Sequence, residues 1–149
     1  MIVAIAADHG GYALKAKMVV HLRELGHIVH DLGTHSEEPV DYPDFARAVT
    51  AEIRSHEAER GILICGSGVG ACIAANKFPG IRAALCHDSF SAHQGVEDDD
   101  ANVLCLGARV VGVELAKELA GIWLGATFSG AVRHRRRLAK LVTFEKESS

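Results

Sequence analysis

A chain of 149 residues, 48% hydrophobic and 23% charged, is long enough to form one domain with a sizeable core, spanning 1–149. Its formal net charge of -3 argues against a general nucleic-acid-binding role. No secretory leader and no membrane-spanning apolar run is visible, so the expectation is a cytoplasmic protein without membrane or nucleic-acid partners.

Taken in order, Ile2–Ala7 is a continuous apolar run that suits a strand buried on both faces, and it ends in the polar turn Asp8-His9-Gly10-Gly11. Leu14, Met18, Val19, Leu22 and Leu25 then recur at helical spacing, and Gly26 stops that helix. A second short strand, Ile28–Leu32, leads through a polar loop with Pro39 and Asp41-Tyr42-Pro43 to a helix over Phe45–Ile53. The third strand, Ile62–Cys65, breaks into glycines and resumes as a helix reaching about Lys77. Arg82–Cys86 predicts a fourth strand, followed by His87-Asp88 and a short helix over Ser89–Val96. The acidic run Glu97–Asp100 is expected to be a solvated turn before the fifth strand, Val103–Leu106. Helices over Val113–Leu124 and 131–144 complete the chain, with Glu145–Ser149 expected to fray.

Strands alternating with helices imply an α/β fold: a three-layer, Rossmann-like sandwich around a five-stranded parallel sheet with right-handed crossovers. Ligands of such sheets sit outside the carboxyl ends of the strands. Asp8-His9, Cys65, His87-Asp88 and Ala108-Arg109 all follow strands, so they are candidates for a single crevice.

The most distinctive stretch is Cys65-Gly-Ser-Gly-Val-Gly70, with Gly66, Gly68 and Gly70 at alternate positions. Such glycines let main-chain N–H groups approach an anion, and a helix start adds positive potential that favours a thiolate nearby. The spacing is not the G-x-G-x-x-G of a dinucleotide fold, nor does it contain the Gly-Lys-Ser/Thr of a Walker loop. A cysteine phosphatase loop would need an arginine where Ala71 stands. A core cysteine beside a tight turn is the plainer alternative. The four cysteines, Cys65, Cys72, Cys86 and Cys105, form no C-x-x-C pair and suit reduced thiols.

Arg133 and Arg137, four apart on the last helix, can face one anion, although a solvated basic face is the commoner outcome of such a run. Neither His27-x-x-His30 nor the acidic run has metal-ligand spacing, and no metal is assigned.

These segments together resemble the type B ribose-5-phosphate isomerases, which group with the galactose-6-phosphate isomerase subunits. The resemblance is carried by Asp8-His9-Gly10-Gly11-Tyr12, Asp41-Tyr42-Pro43, Gly61–Gly70, Ala74-Ala-Asn-Lys77, Asn102-Val103-Leu104, Gly107–Gly112 and Arg133-His134, spread over nearly the whole chain. It implies aldose–ketose isomerisation of a phosphorylated sugar through an enediolate, with no metal and no nucleotide cofactor. It also implies a homodimer, or a tetramer built from it, with active sites shared between subunits and the helix 131–144 contributing to the contact. By the same resemblance Cys65 is the base that moves the carbon-bound proton, since a second branch's glutamate is replaced by Ala71. Ser67 and the main chain of Gly66, Gly68, Val69 and Gly70 would hold the oxyanion. Asp8 and Tyr42 would hold substrate hydroxyls, and His9, Arg109, Arg133 and Arg137 the phosphate.

One departure stands out. The family has a His-Asn pair, whose histidine opens the furanose ring, where this chain has Asp98 and Asp99. Asp98 could take over that proton transfer, with Asp99 beside the substrate. Alternatively the substrate is an open-chain tetrose 4-phosphate that needs no ring opening, or the protein is a non-catalytic sugar-phosphate-binding dimer.

Overall fold

A computed structural model describes residues 1–147. Its elements are β1 (Ile2–Ala7), α1 (Tyr12–Glu24), β2 (Ile28–Asp31), α2 (Tyr42–Arg54), β3 (Arg60–Cys65), α3 (Val69–Ala75), β4 (Ala83–Leu85), α4 (Ser89–Asp99), β5 (Val103–Gly107), α5 (Val113–Gly125) and α6 (Val132–Glu147). All strand pairs are parallel, in the order β2-β1-β3-β5-β4, so the expected five-stranded α/β architecture is the one observed.

Strand periodicity divides the core into two layers. Val3, Ile5 and Ala7 of β1 point to the face covered by α1, α4 and α5, where Met18, Leu22, Val96, Leu119 and Trp123 are buried. Ala4 and Ala6 point to the other face, packed with Val49 of α2 and Ala71 and Ala75 of α3. Cys65 and Cys105 lie on this second face. Lys15 of α1, only 1% exposed, is neutralised by Asp31 at the end of β2, with Nζ 2.6 Å from Oδ1. An unpaired buried ammonium there would be costly.

The edge strand β4 covers only three residues, shorter than the run Arg82–Cys86 predicted. Amide side chains fasten it. Asn76 exchanges two hydrogen bonds with the main chain of Ala83, at 2.8 and 3.0 Å, and Asn102 Oδ1 accepts from Arg82 N–H at 2.7 Å.

Several helix ends differ from expectation. Helix α2 begins at Tyr42, because Pro43 falls where its missing N–H costs nothing. Helix α3 stops at Ala75. Helix α4 continues through Glu97–Asp99 and closes at Asp100 in the left-handed region, φ 49°, so three of the four acids are helical rather than a solvated turn. Helix α6 extends to Glu147, and Gly80 N–H donates to Glu145 at 2.9 Å, which ties down part of the tail expected to fray; Ser148 and Ser149 lie outside the described residues.

Candidate active site

The sheet order reverses direction between β1 and β3, and a groove of about 330 Å³ opens beyond their carboxyl ends. Asp8, Tyr42, Cys65, Gly66, Ser67, Gly70 and Arg109 line it. Three adjacent strands therefore deliver an acid, a thiol and a guanidinium to one place, and the start of α2 adds a phenol.

Local geometry explains each placement. Cys65, the last residue of β3, is 5% exposed, and its Sγ accepts a hydrogen bond from Gly68 N–H at 3.1 Å. That bond orients the sulfur and partly satisfies it if charged. Gly68 holds φ 81°, and a Cβ there would sit 2.6 Å from Leu85 Cδ1 and 2.9 Å from the Leu106 carbonyl carbon, so both conformation and space require glycine. At Gly70 a Cβ would meet the Tyr42 ring at 2.8 Å, which is how the phenol comes to lie across the loop. The loop is pinned to the turn after β5, because Ala108 N–H donates to Cys65 O at 2.9 Å and Arg109 N–H to Gly66 O at 3.0 Å. The Arg109 guanidinium accordingly lies over Gly66, with Cζ 3.6 Å from where a Cβ would be.

Within the loop, Val69 N–H donates to Ser67 Oγ at 3.2 Å, and Gly68 N–H is taken by the sulfur. Gly66, Ser67 and Gly70 line the groove, whereas the N–H groups of Gly68 and Val69 are taken up within the loop. Asp8 accepts from Gly11 N–H at 3.1 Å, which fixes its carboxylate at the turn. His9 is exposed beside the groove and accepts from Val40 N–H at 3.1 Å, holding the loop that leads into α2.

The remaining expected residues lie elsewhere in the single chain. Asp98 is outside the groove, with its Oδ2 accepting from Gln94 Nε2 at 2.8 Å and its Oδ1 facing His134 Nε2 at 3.5 Å. Asp99 lies by a separate cleft bounded by Leu141, Phe144 and Asn76. Arg133 and Arg137 are exposed on α6, away from the groove lining. His87 and Asp88 leave the expected crevice as well. His87 Nε2 accepts from Gly107 N–H at 2.9 Å, and Asp88 caps α4 by accepting from Ser91 N–H at 2.8 Å. His134 has no role expected from its sequence neighbours, although its spacing with Leu138 and Leu141 places it on the inward face of α6.

The other cysteines differ from Cys65 in setting. The Cys72 thiol accepts a hydrogen bond from Cys105, which outweighs burial and holds it below the ordinary thiol value. Burial, and then the Asp88 charge, push Cys86 up to about 11. All four are free, and no cluster of three or more metal-binding side chains occurs among the described residues.

A larger cleft of about 540 Å³ lies at the amino ends of β3 and β5 and includes Arg54, Arg60 and Arg82. Two of these arginines fasten loops there: Arg60 donates to Trp123 O at 2.6 Å and Ala126 O at 2.8 Å, and Arg82 to Asp100 O at 2.8 Å. The small groove, with its less committed polar groups, is the better place for chemistry.

A parallel α/β sheet with a thiol, a carboxylate, a phenol and an arginine at its switch point defines a small-molecule enzyme site of the strand-end class. Residues 3–141 match the Ribose/Galactose Isomerase family, and the chain belongs to it. It is 46% identical over 144 residues to ribose-5-phosphate isomerase B of Escherichia coli, covering 97% of this chain and 96% of that one. It is 45% identical over 130 residues to a D-erythrulose-4-phosphate isomerase of Pectobacterium atrosepticum, covering 86% and 85%. Its fold superimposes with a TM-score of 0.92 on ribose-5-phosphate isomerase B from Mycoplasma genitalium with bound ribulose-5-phosphate, at 40% identity, covering 98% of this chain and 97% of that one.

Proposed function

We propose that this protein interconverts an aldose phosphate and its ketose, with ribose 5-phosphate and ribulose 5-phosphate as the pair it handles. The observation that carries the reading is the buried Cys65 thiol, aimed by Gly68 N–H, in one groove with Asp8, Tyr42, Ser67 and Arg109. As thiolate, Cys65 takes the proton from C2 of the open-chain aldose. Electrons shift toward O1, giving an enediolate; the O2 hydroxyl proton passes to O1, and Cys65 returns its proton to C1 as O2 becomes the carbonyl. Ser67 and the main chain of Gly66 and Gly70 face the oxygen that gains charge. Asp8 and Tyr42 orient hydroxyls, and Arg109, with His9, meets the phosphate. No metal or cofactor is needed for this proton transfer.

Arg133 and Arg137 do not line the groove of their own chain. Their reach to a substrate phosphate is best met by a homodimer in which α6 serves the partner's groove. Val69, Ile73 and Val110, respectively 46%, 57% and 57% exposed near the groove, supply apolar surface for such a contact. Four free thiols fit a reducing, cytoplasmic setting.

A second reading of the substrate has its own support. Where the family's ring-opening histidine would be stands Asp98, whose Oδ2 accepts from Gln94 and whose Oδ1 is turned toward His134. A tetrose 4-phosphate cannot close a furanose ring and needs no ring-opening residue. Proton NMR in deuterated water, with ribose 5-phosphate and erythrose 4-phosphate supplied separately, tests both. Turnover of ribose 5-phosphate with deuterium incorporation at the reacting carbon supports the first. Faster turnover of the tetrose favours the second, and binding of both without turnover would sink the isomerase reading.

A further inference from the structure

Helix α6 carries Arg133, Arg135, Arg136 and Arg137, yet a single residue of it is buried among the described residues: His134, 4% exposed. Toward its carboxyl end α6 is also held by the Gly80–Glu145 hydrogen bond, but at the end that carries the arginines its one buried side chain is polar, so its seating there depends on how that side chain is satisfied. Both ring nitrogens of His134 are occupied. Nδ1 lies 2.6 Å from Ser129 Oγ, and Nε2 faces Asp98 Oδ1 at 3.5 Å, an ion-pair distance rather than a close hydrogen bond. Gln94, one turn earlier on α4, holds the other Asp98 oxygen. Ser129 is fastened to the same helix, since its N–H donates to Glu97 O at 2.9 Å. With the ring proton on Nε2 facing the carboxylate, Nδ1 accepts the Ser129 hydroxyl, whose oxygen still accepts from Ala131 N–H at 3.1 Å. Nδ1, the Ser129 hydroxyl and Asp98 Oδ2 are then hydrogen-bonded, and Nε2–H is directed at the Asp98 carboxylate.

We propose that Asp98 is a positioning residue: through the buried His134 it fixes the angle at which α6 presents Arg133 and Arg137, and so governs grip on the substrate phosphate rather than proton transfer. Arg133 adjoins His134 in sequence, and Arg137 follows less than one turn later, so any tilt about the His134 contact moves both guanidinia together. Charge-assisted contacts to a phosphate are sensitive to such displacement. The hydrogen bond from Gln94 to Oδ2 and the orientation of Oδ1 toward His134 also favour a structural over a proton-carrying role for Asp98.

The inference rests on the sugar-phosphate reading above, and the test separates the two. Full-length wild type, Asp98→Ala, Asp98→Asn, His134→Gln and the double variant Asp98→Ala/His134→Gln are compared by steady-state kinetics with ribose 5-phosphate and with erythrose 4-phosphate. Inorganic phosphate binding by calorimetry and amide exchange over residues 132–140 accompany them. For Asp98→Ala, KM and the phosphate Kd rise about tenfold while kcat stays within about threefold, and amide exchange of α6 quickens. Asp98→Asn, which keeps an acceptor toward His134, restores most of the loss. The double variant is no worse than the weaker single one, because both remove one contact. A kcat loss of about a hundredfold at unchanged KM makes Asp98 a catalytic residue and overturns the proposal. Unchanged KM, phosphate affinity and exchange in Asp98→Ala overturn it too. Should Asp98→Ala not fold, Asp98→Asn and His134→Gln carry the same readouts. If wild type turns over neither sugar, the isomerase reading fails alone, and α6 exchange with phosphate affinity still decides the role of Asp98.

Discussion

The groove at the strand ends and the arm formed by α4 and α6 are built on opposite principles. Cys65, Asp8 and Arg109 leave adjacent strands of a fully hydrogen-bonded parallel sheet, and main-chain bonds lock the glycine loop to the turn after β5. The arm holds its arginines on a helix with one buried side chain, His134. Proton transfer requires reacting atoms fixed within a fraction of an ångström, which a sheet supplies. Gripping a phosphate is a binding contact rather than a change in the reacting bonds, so a helix held at few points can supply it as long as those points fix its angle. On the proposed function, damage to the groove therefore lowers kcat, and damage to the arm raises KM.

The sharpest way to break this contrast is at Cys65. Cys65→Ala should lower kcat by about a thousandfold or more while leaving KM and the melting temperature near their original values, measured by a coupled isomerase assay and by calorimetry. A kcat within tenfold of wild type would remove the thiol from the chemistry. On the arm, Arg137→Ala should raise KM about ten- to a hundredfold with kcat little changed, the cost of losing a charge-assisted contact. A matching loss of kcat would place that arginine in the rate-determining step.

The loop's rigidity can be probed directly. Gly68→Ala should destabilise the fold by about 1–3 kcal/mol in urea titrations, since the new Cβ meets Leu85 and the Leu106 main chain at a positive φ. Gly112→Ala, where nothing lies within 4 Å of the added atom, should change stability far less.

Acid provides a milder test, away from both regions. Burial alone would raise the Asp31 carboxyl, but the hydrogen bond and charge of Lys15, with Gly33 N–H, outweigh it and hold Asp31 below its ordinary value. The folded state thus binds this proton less tightly than the unfolded chain. Its contribution is complete above about pH 4 and is lost as the pH falls through the folded-state value. Lys15→Met should reduce that acid dependence in equilibrium unfolding between about pH 2 and pH 5. The smallest effect concerns thiol reactivity. Iodoacetamide at neutral pH should modify Cys72 ahead of Cys86 and Cys105, because the first is shifted down and the others up. Peptide mass spectrometry gives the order.

Much of this molecule was legible before folding was considered. Apolar runs ending in Asp8, Cys65 and near Arg109 determined the parallel sheet, and the strand-end rule brought those three residues to one groove. The exceptions lie where local pattern and tertiary context compete. The acids of Glu97–Asp99 look like a solvated turn, yet they continue α4 because Ala92, Gly95 and Val96 are buried on its inner face. His87 and Asp88 follow a strand as Cys65 does, but they support β5 and cap α4 instead of facing the groove.

The sequence by itself determined the strand–helix alternation, the glycine loop and the residue types of the chemistry, because hydrophobic period and backbone demands are local properties. Folding in three dimensions settled which side chains of those types share a groove and that Asp98 meets His134. These contacts join residues whose separation in space depends on how helices cross the sheet, a relation no local pattern encodes.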